Sequence, residues 1–336
     1  MYDAFRKVLF QLDPERAHHM GLKGLNLLAG LGLAKVLNPC VWDEPVECMG
    51  LTFPNLIGLA AGLDKDGKYI DAMGCLGFGF IEVGTVTPRP QSGNPKPRLF
   101  RLKEHQAIIN RMGFNNEGID ALVDRVEKRK YKGMLGVNIG KNKLTPNEEA
   151  VNDYLTCLQK AYPVADYIAV NISSPNTPGL RALQGAEEIK KLLGRLKEEQ
   201  AALEQQHGVY RPLTVKIAPD LETEAVEEIG NIVREVGMDG VIATNTTVSR
   251  EAVSGHIYAE EAGGLSGAPV REASTQVVRT LSRVLGNEFP VIGVGGILKG
   301  QDAKEKLDAG ATLIQVYSGF IYRGPELLNE IQMACS

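Results

Sequence analysis

No cysteine pattern organises this sequence. Its 5 cysteines (Cys40, Cys48, Cys75, Cys157 and Cys335) are odd in number, and none stand in C-x-x-C spacing. That argues against a disulfide framework or a zinc site and for reduced thiols in a cytosolic compartment. The 5 histidines form no H-E-x-x-H motif, so no metal site is expected. Aromatic residues are scarce, at 6%, which leaves no sign of a base-stacking platform. A net charge of −4 denies the chain the basic face that nucleic-acid binding needs. No apolar run reaches the roughly 20 residues of a spanning helix; the run between Lys23 and Lys35 is far shorter. The G-x-G-x-x-G fingerprint of an open dinucleotide-binding sheet is also missing.

What is present is a soluble globular composition, 43% hydrophobic and 23% charged, with 37 glycines that gather in or beside strand-like runs. Residues 1–40 read as helical, with Asp13 as an N-cap and Pro14 at the first helical position. Two readings stand for this segment: a hairpin packed on the main domain, or one lying in a membrane interface. Its basic residues Arg6, Lys7, Arg16, Lys23 and Lys35 outnumber Asp3, Asp13 and Glu15, which suits an anionic surface. A short hairpin is expected at Met49–Phe53. Eight apolar runs follow: Leu56–Ala61, Phe80–Val86, Met134–Ile139, Tyr167–Ile172, Leu213–Ala218, Gly240–Thr244, Pro290–Val294 and Leu313–Tyr317. Amphipathic helical stretches alternate with them, at Gly118–Lys130, Glu187–Glu204, Glu222–Val236, Arg271–Leu285 and Gln301–Ala309. Near-continuous apolar strands alternating with helices mean a parallel sheet covered on both faces. Eight units predict an α/β fold of the (β/α)8 TIM-barrel class, over residues 41–336, behind the helical extension.

Barrel chemistry sits where strands end. The fourth run opens into Asn171–Arg181, where Asn171, Ser173, Ser174, Asn176 and Thr177 can hydrogen-bond a small polar molecule. Pro175 and Pro178 stiffen that loop. The other ends are A-A-G-L-D-K-D-G from Ala60, G-T-V-T from Gly84, N-I-G-K from Asn138, Lys216 in V-K-I-A-P, T-N-T-T from Thr244, G-V-G-G-I from Gly293 and Y-S-G from Tyr317. Each alone is ordinary turn chemistry; eight on one rim predict a ligand-lined mouth. Lys216 in an apolar strand faces either an anion or electron-rich ring, or a salt bridge to Asp64 or Asp220. Gly295-Gly296 and Ser318-Gly319 leave backbone N–H groups open for phosphate. A long insertion, Pro88 to about Glu117, is expected to be functional; its Asn110, Asn115 and Asn116 are placed to read a small ring. A second insertion, Val248–Pro269, ends in G-G-L-S-G.

These motifs, with E-V-G-T-V-T-P-R-P, N-R-M-G-F-N-N, N-I-G-K-N-K, N-I-S-S-P-N-T-P-G-L-R, V-K-I-A-P-D and Y-S-G-F, run in order from Cys48 to Phe320. Together they resemble the dihydroorotate dehydrogenases. The family divides by its catalytic base, cysteine in one class and serine in the quinone-linked class 2; Ser174 stands at that position here. The helical extension also resembles class 2, in which it forms the mouth of a quinone tunnel. The resemblance implies oxidation of dihydroorotate to orotate through bound FMN, with a membrane quinone as electron acceptor. It implies FMN contacts at Ala61, Gly62, Lys65, Thr85, Asn138, Asn171, Lys216, Thr244, Gly267, Gly296, Tyr317 and Ser318. It implies substrate contacts at Lys65, Asn110, Arg111, Met112, Gly113, Phe114, Asn171, Asn176, Asn245 and Thr246. The implied catalytic set is Ser174 as base, with Lys65, Lys216 and Thr177, and the implied quinone path is His18, Arg101 and Tyr317. A monomer held peripherally on the cytoplasmic side of a bacterial inner membrane is expected. Its rivals are an FMN barrel acting on a 2-hydroxy acid, which would want a histidine near the sixth or seventh strand end, a flavin-free barrel acting on a sugar phosphate, and a barrel without turnover.

Overall fold

In the computed structural model, residues 2–33, 42–286 and 288–336 are described. The chain begins with a helical pair, α1 (Tyr2–Leu9) and α2 (Pro14–Gly30). The turn between them follows the cap anticipated above. Asp13 Oδ1 accepts from the Arg16 N–H at 2.9 Å, and Pro14 opens α2 where its missing donor costs nothing. Residues 34–40 of the expected helical segment lie outside the described residues. Next come β1 (Val46–Cys48) and β2 (Leu51–Phe53), an antiparallel hairpin turning at Met49-Gly50. It starts three residues earlier than the sequence suggests.

The barrel strands are β3 (Ile57–Leu59), β4 (Phe80–Val86), β7 (Met134–Ile139), β8 (Tyr167–Asn171), β9 (Leu213–Ile217), β10 (Gly240–Ala243), β12 (Val291–Val294) and β13 (Leu313–Val316). All eight pair in parallel, each with its neighbours in chain order, and β13 closes on β3. Nearly every residue in them is buried, the expected result for strands covered on both faces. The outer layer is α3 (Ile70–Gly74), α4 (Ile119–Glu127), α5 (Ala150–Ala161), α6 (Ala186–His207), α7 (Thr223–Glu235), α8 (Arg271–Leu285) and α9 (Gly300–Asp308), followed by α10 (Ser318–Arg323) and α11 (Glu326–Cys335). One large apolar core fills the space between strands and helices; a second lies inside the barrel. Phe53 of the hairpin enters that inner core, edge-on to Phe80 with centroids 5.2 Å apart, and so plugs the end at which the strands start.

The two insertions, expected as separate loops, join. β5 (Leu99–Leu102) and β6 (Ala107–Asn110) come from the first, and β11 (Gly264–Gly267) comes from the second. They form one antiparallel sheet in the order β11-β6-β5, with Gly264 opposite Asn110. This sheet stands over the rim at which the barrel strands end. Its apolar side is filled by Phe100, Leu102, Ile109, Val253 and Leu265.

Candidate active site

At that rim lies a cleft of about 990 Å³. Strand ends and rim sheet converge on it from every side. The β3 loop supplies Ala61, Gly62 and Lys65, and β4 supplies Thr85; Asn110, Met112, Gly113 and Phe114 come from the first insertion. The β8 loop supplies Asn171, Ser174 and Asn176, and β9 supplies Lys216; Thr244, Asn245 and Thr246 follow β10. Gly267, Gly296, Tyr317 and Ser318 complete the wall. Ala60, Ser266, Gly295, Gln315 and Gly319, for which the resemblance implies no contact, also line it, and the open backbone expected at 295–296 and 318–319 belongs to its wall.

Two glycines show how tightly the far wall is built. A Cβ on Gly296, whose φ is 76°, would lie 2.3 Å from the Arg271 Cα; one on Gly319 would lie 1.9 Å from the Ile297 carbonyl oxygen. Only glycine fits such close backbone approaches. Phe114 holds φ 52°, an unusual value for an aromatic residue. Its carbonyl is gripped by the Asn116 side-chain amide at 2.7 Å and the Gln91 amide at 3.1 Å. Asn116 and Gln91 are thus supports behind the wall; neither Asn115 nor Asn116 lines the cleft, as the sequence suggested they would.

The Asn171–Arg181 loop is stiffened from outside as well as by its prolines. Arg181 donates to the Ser173 carbonyl at 3.0 Å and the Thr246 carbonyl at 2.8 Å, and pairs with Asp220 at 2.8 Å. It therefore ties the β8 loop to the β10 loop. Ser174 Oγ, buried on the cleft wall, accepts from the Asn176 N–H at 3.2 Å. Thr177 lies behind the wall, and its buried Oγ1 has no hydrogen-bond partner among the described residues. Asn176 Nδ2 donates to Asn110 Oδ1 at 3.2 Å, joining loop and rim sheet. Ser173 does not face the cleft; its hydroxyl donates to Asn171 Oδ1 at 3.1 Å.

Asn138 and Arg111 also lie off the wall. Asn138 is fully buried one layer down and accepts the Thr85 hydroxyl at 2.5 Å. Arg111 turns outward to Glu261, at 2.5 Å, and stacks over the Phe100 ring.

Two lysines carry the charge. Lys65 donates to the Gly62 carbonyl at 2.7 Å, and burial pushes its ammonium down to about 8. Lys216 is 5% exposed, and burial lowers it too, with the Glu82 carboxylate acting the other way. Neither Asp64 nor Asp220 pairs with it: Asp64 accepts the Lys68 and Tyr69 backbone N–H groups, and Asp220 is held by Arg181. Among the described residues Lys216 has no hydrogen bond or ion pair to its ammonium, so the cleft is the side on which it can find one.

On the hairpin side, His18 of α2 faces the β3 loop, where burial, then Lys65, press its imidazole down to about 3. Arg101 donates to the Leu9 carbonyl at 3.3 Å and to that of Leu12, with its guanidinium 4.5 Å from the Phe10 ring centre. It clamps the α1–α2 turn and does not line the cleft. Tyr317 does line it, and its hydroxyl donates to the Gly62 carbonyl at 3.4 Å.

The dihydroorotate dehydrogenase family profile matches residues 45–335. The chain belongs to the dihydroorotate dehydrogenase family. It is 59% identical to dihydroorotate dehydrogenase (quinone) of Marinobacter nauticus, covering 98% of this chain and 97% of the relative. It is 60% identical to the protein of that name from Chromobacterium violaceum, over 99% and 97%. Among solved structures, the dihydroorotate dehydrogenase of Eimeria tenella in complex with ferulenol superposes with a TM-score of 0.86 at 38% identity, covering 96% of this chain and 90% of that one. Its ligand-free form gives 0.86 at 39%, over 96% and 94%. The profile spans the hairpin, the barrel and both halves of the rim sheet, so the cleft of this family member is built wholly from matched sequence.

Proposed function

We propose that the chain oxidises (S)-dihydroorotate to orotate with one FMN in the cleft and passes the electrons to a membrane quinone. One observation carries the reading: Lys65, Ser174 and Lys216, far apart in sequence, line one cleft in a chain of this family. The residues fit a flavin. The glycines at 295, 296 and 319 leave main-chain N–H groups open to a phosphate. Gln315 Oε1, on the wall, is buried with no partner among the described residues and suits a ring N–H. Lys216 suits the electron-rich pyrimidine edge of the ring system, where negative charge develops on reduction. The FMN contacts are then Ala61, Gly62, Lys65, Thr85, Asn171, Lys216, Thr244, Gly267, Gly296, Tyr317 and Ser318, with Asn138 acting from beneath. Bound FMN supplies the acceptor for the C6 hydride and the route for electrons to the quinone.

The side chains do the rest. Asn110, Asn171, Asn176 and Asn245 clamp the amides and carboxylate of the substrate and so align its C–H bonds. Met112, Gly113, Phe114 and Thr246 shape the same wall. Ser174 Oγ takes the C5 proton as it gives its own hydroxyl proton to Thr177, whose buried Oγ1 has no hydrogen-bond partner among the described residues, and Thr177 hands its proton on in the same way through water. Serine is a weak base, so the Lys65 ammonium stabilises the charge that develops as the proton leaves.

In this reading the helical extension of residues 1–40 has a task apart from that of the 41–336 barrel and seats the protein peripherally on the cytoplasmic face of a bacterial inner membrane. Phe5, Val8, Met20, Leu27, Leu31 and Leu33 leave 49–66% of their surface exposed on the helical pair, a face suited to lipid. No helix among the described residues is long and apolar enough to cross a membrane. In this reading the quinone path runs past His18, beside the β3 loop, and Tyr317, on the cleft wall, with Arg101 holding the hairpin turn. The test is anaerobic: dihydroorotate should bleach the flavin of the purified yellow protein and release orotate, and a quinone should restore the colour. A colourless protein, or a flavin that dihydroorotate leaves oxidised, overturns the reading.

A further inference from the structure

Inside the barrel, beneath the cleft, lies a carboxylate that forms no ion pair among the described residues, although the Lys216 ammonium is near enough to feel its charge. Glu82 of β4 is 1% exposed and is met by three neutral donors. Asn138 Nδ2 donates to its Oε1 at 2.8 Å; the Tyr167 hydroxyl donates to Oε2 at 2.9 Å and Gln315 Nε2 to the same oxygen at 2.8 Å. Both of its oxygens act as acceptors, and each of these groups turns its donor inward. That dictates which way every amide beyond it faces. With its NH2 spent on Glu82, Asn138 presents its oxygen to the Thr85 hydroxyl at 2.5 Å and to Asn171 Nδ2 at 3.3 Å. Thr85, its proton given away, accepts Asn171 Nδ2 at 2.9 Å. Asn171 therefore turns its oxygen the other way, where it accepts the Ser173 hydroxyl of its own loop at 3.1 Å and Asn245 Nδ2 of the β10 loop at 3.4 Å. Asn245 also donates to Ser173 Oγ at 3.0 Å, and its own oxygen accepts the Thr246 N–H at 2.8 Å. The second arm is shorter. Gln315 gives its NH2 to Glu82, which leaves its oxygen as the orphan acceptor on the cleft wall.

We propose that Glu82 is a positioning residue for the reaction, a buried acceptor that sets the donor–acceptor polarity of Asn138, Thr85, Asn171, Asn245 and Gln315 and so makes the cleft complementary to the amide edges of its ligands. The inference rests on the reading above, in which Asn171 and Asn245 hold the substrate. An asparagine is symmetric in shape and opposite in chemistry at its two ends. A relay of them has two polarities, and one acceptor-only group at its root removes the choice. The network is also fully connected on this side, the condition under which buried polar groups specify one arrangement.

Glu82→Gln tests it with no change of volume. The new amide oxygen can still take Tyr167 and Gln315, but the new NH2 then faces the NH2 of Asn138, and the relay must invert or break. Leaving one such group unpaired weakens binding by about 10- to 100-fold. The measurements are orotate affinity by calorimetry on the flavin-loaded protein, and KM for dihydroorotate against KM for a soluble quinone. The expected result is weaker orotate binding and a raised dihydroorotate KM with the quinone KM unchanged. Adding Asn138→Asp puts an acceptor back against Thr85 and Asn171 and gives the amide introduced at position 82 a partner; this pair of changes should recover orotate binding. Tyr167→Phe, which removes a donor outside the relay, should lower the melting temperature and leave orotate affinity intact. If the parent binds no orotate, the functional reading fails first. If the parent binds it and Glu82→Gln binds it equally well, or the double variant folds without recovering it, the positioning role is wrong. Neutron diffraction on the deuterium-exchanged parent needs no substitution: deuterons on Asn138 pointing toward Thr85, away from Glu82, overturn the proposal whatever the variants do.

Discussion

Ser174 and Lys65 carry the steepest consequences of single substitutions. Among the described residues, Ser174→Ala removes the only hydroxyl on the β8 loop that faces the cleft, and only the Asn176 N–H bonds to it. Flavin should stay bound, while its reduction by dihydroorotate slows by about 10²- to 10⁴-fold, the usual worth of a positioned base. Stopped-flow absorbance reads this directly, and near-normal reduction would remove Ser174 from the mechanism. Lys65 gives a pH dependence. Burial lowers its ammonium to about 8, so it is charged below that pH and neutral above it. A carboxylate substrate binds the charged form, so kcat/KM should fall as pH rises through 8. The bound anion holds the proton on, so kcat should fall later. Lys65→Met should lose this alkaline limb along with most of its activity. Both residues were legible in the sequence because each sits within a few positions of a strand end. Glu82 was not: an acid inside an apolar strand reads as an outward-facing position until the barrel closes around it. Asn115 and Asn116 misled for the opposite reason, since three asparagines in one insertion look alike and only the fold separates the wall from its supports.

The elements show where local reading stops. Strands β4 and β7 and helix α8 match their expected limits residue for residue, because apolar runs and helical periodicity are local properties. The rim sheet is not local. β6 and β11 pair across more than 150 residues, Ile108 with Ser266 for example, and neither insertion alone announces its partner. A similar long-range contact seats α2 on the barrel. Glu15, buried, meets Arg98 at 2.8 Å, and Arg98 also donates to the Ser92 and Asn94 carbonyls at 2.7 and 2.9 Å. Asn94 in turn donates to the Arg111 and Asn176 carbonyls, so the helix is joined through two residues to the substrate wall. Burial raises the Glu15 carboxyl, but Arg98 and Lys96 outweigh it and leave it below the ordinary value. This contact therefore stabilises the seating above the ordinary carboxylate range and loses that contribution as pH falls through the lowered value. Arg98→Ala leaves Glu15 with only the exposed Lys96 and should cost about 3 kcal/mol, as removal of one member of a buried pair does. Limited trypsin digestion should then cut first at Arg16 and Lys23, with a raised dihydroorotate KM. Digestion no faster than in the parent would mean that apolar packing alone holds α2.

For the molecule as a whole, the cleft and the exposed apolar face answer to different solvents, and the two half-reactions should separate along that division. The barrel, its plug and its rim sheet carry every residue assigned to flavin and substrate; the helical pair carries a group of exposed large apolar side chains. Leu27 is 66% and Leu31 is 64% exposed. Sinking both into acyl chains is worth about 3 kcal/mol, or roughly a 100-fold change in partitioning. Leu27→Ser with Leu31→Ser should therefore release the protein from anionic vesicles in a sedimentation assay. The same pair should leave flavin reduction by dihydroorotate at its parent rate, because neither side chain touches the cleft. Turnover should fall with a long-tailed quinone presented in vesicles and hold with a short, water-soluble one, since only the former must be met at the bilayer. Removing residues 1–40 should give the same split in stronger form, provided the barrel keeps its flavin, which its colour reports. A truncated protein that still turns over vesicle-borne quinone at the parent rate would place electron exit elsewhere on the barrel, and the hairpin would then be packing without a role in the second half-reaction.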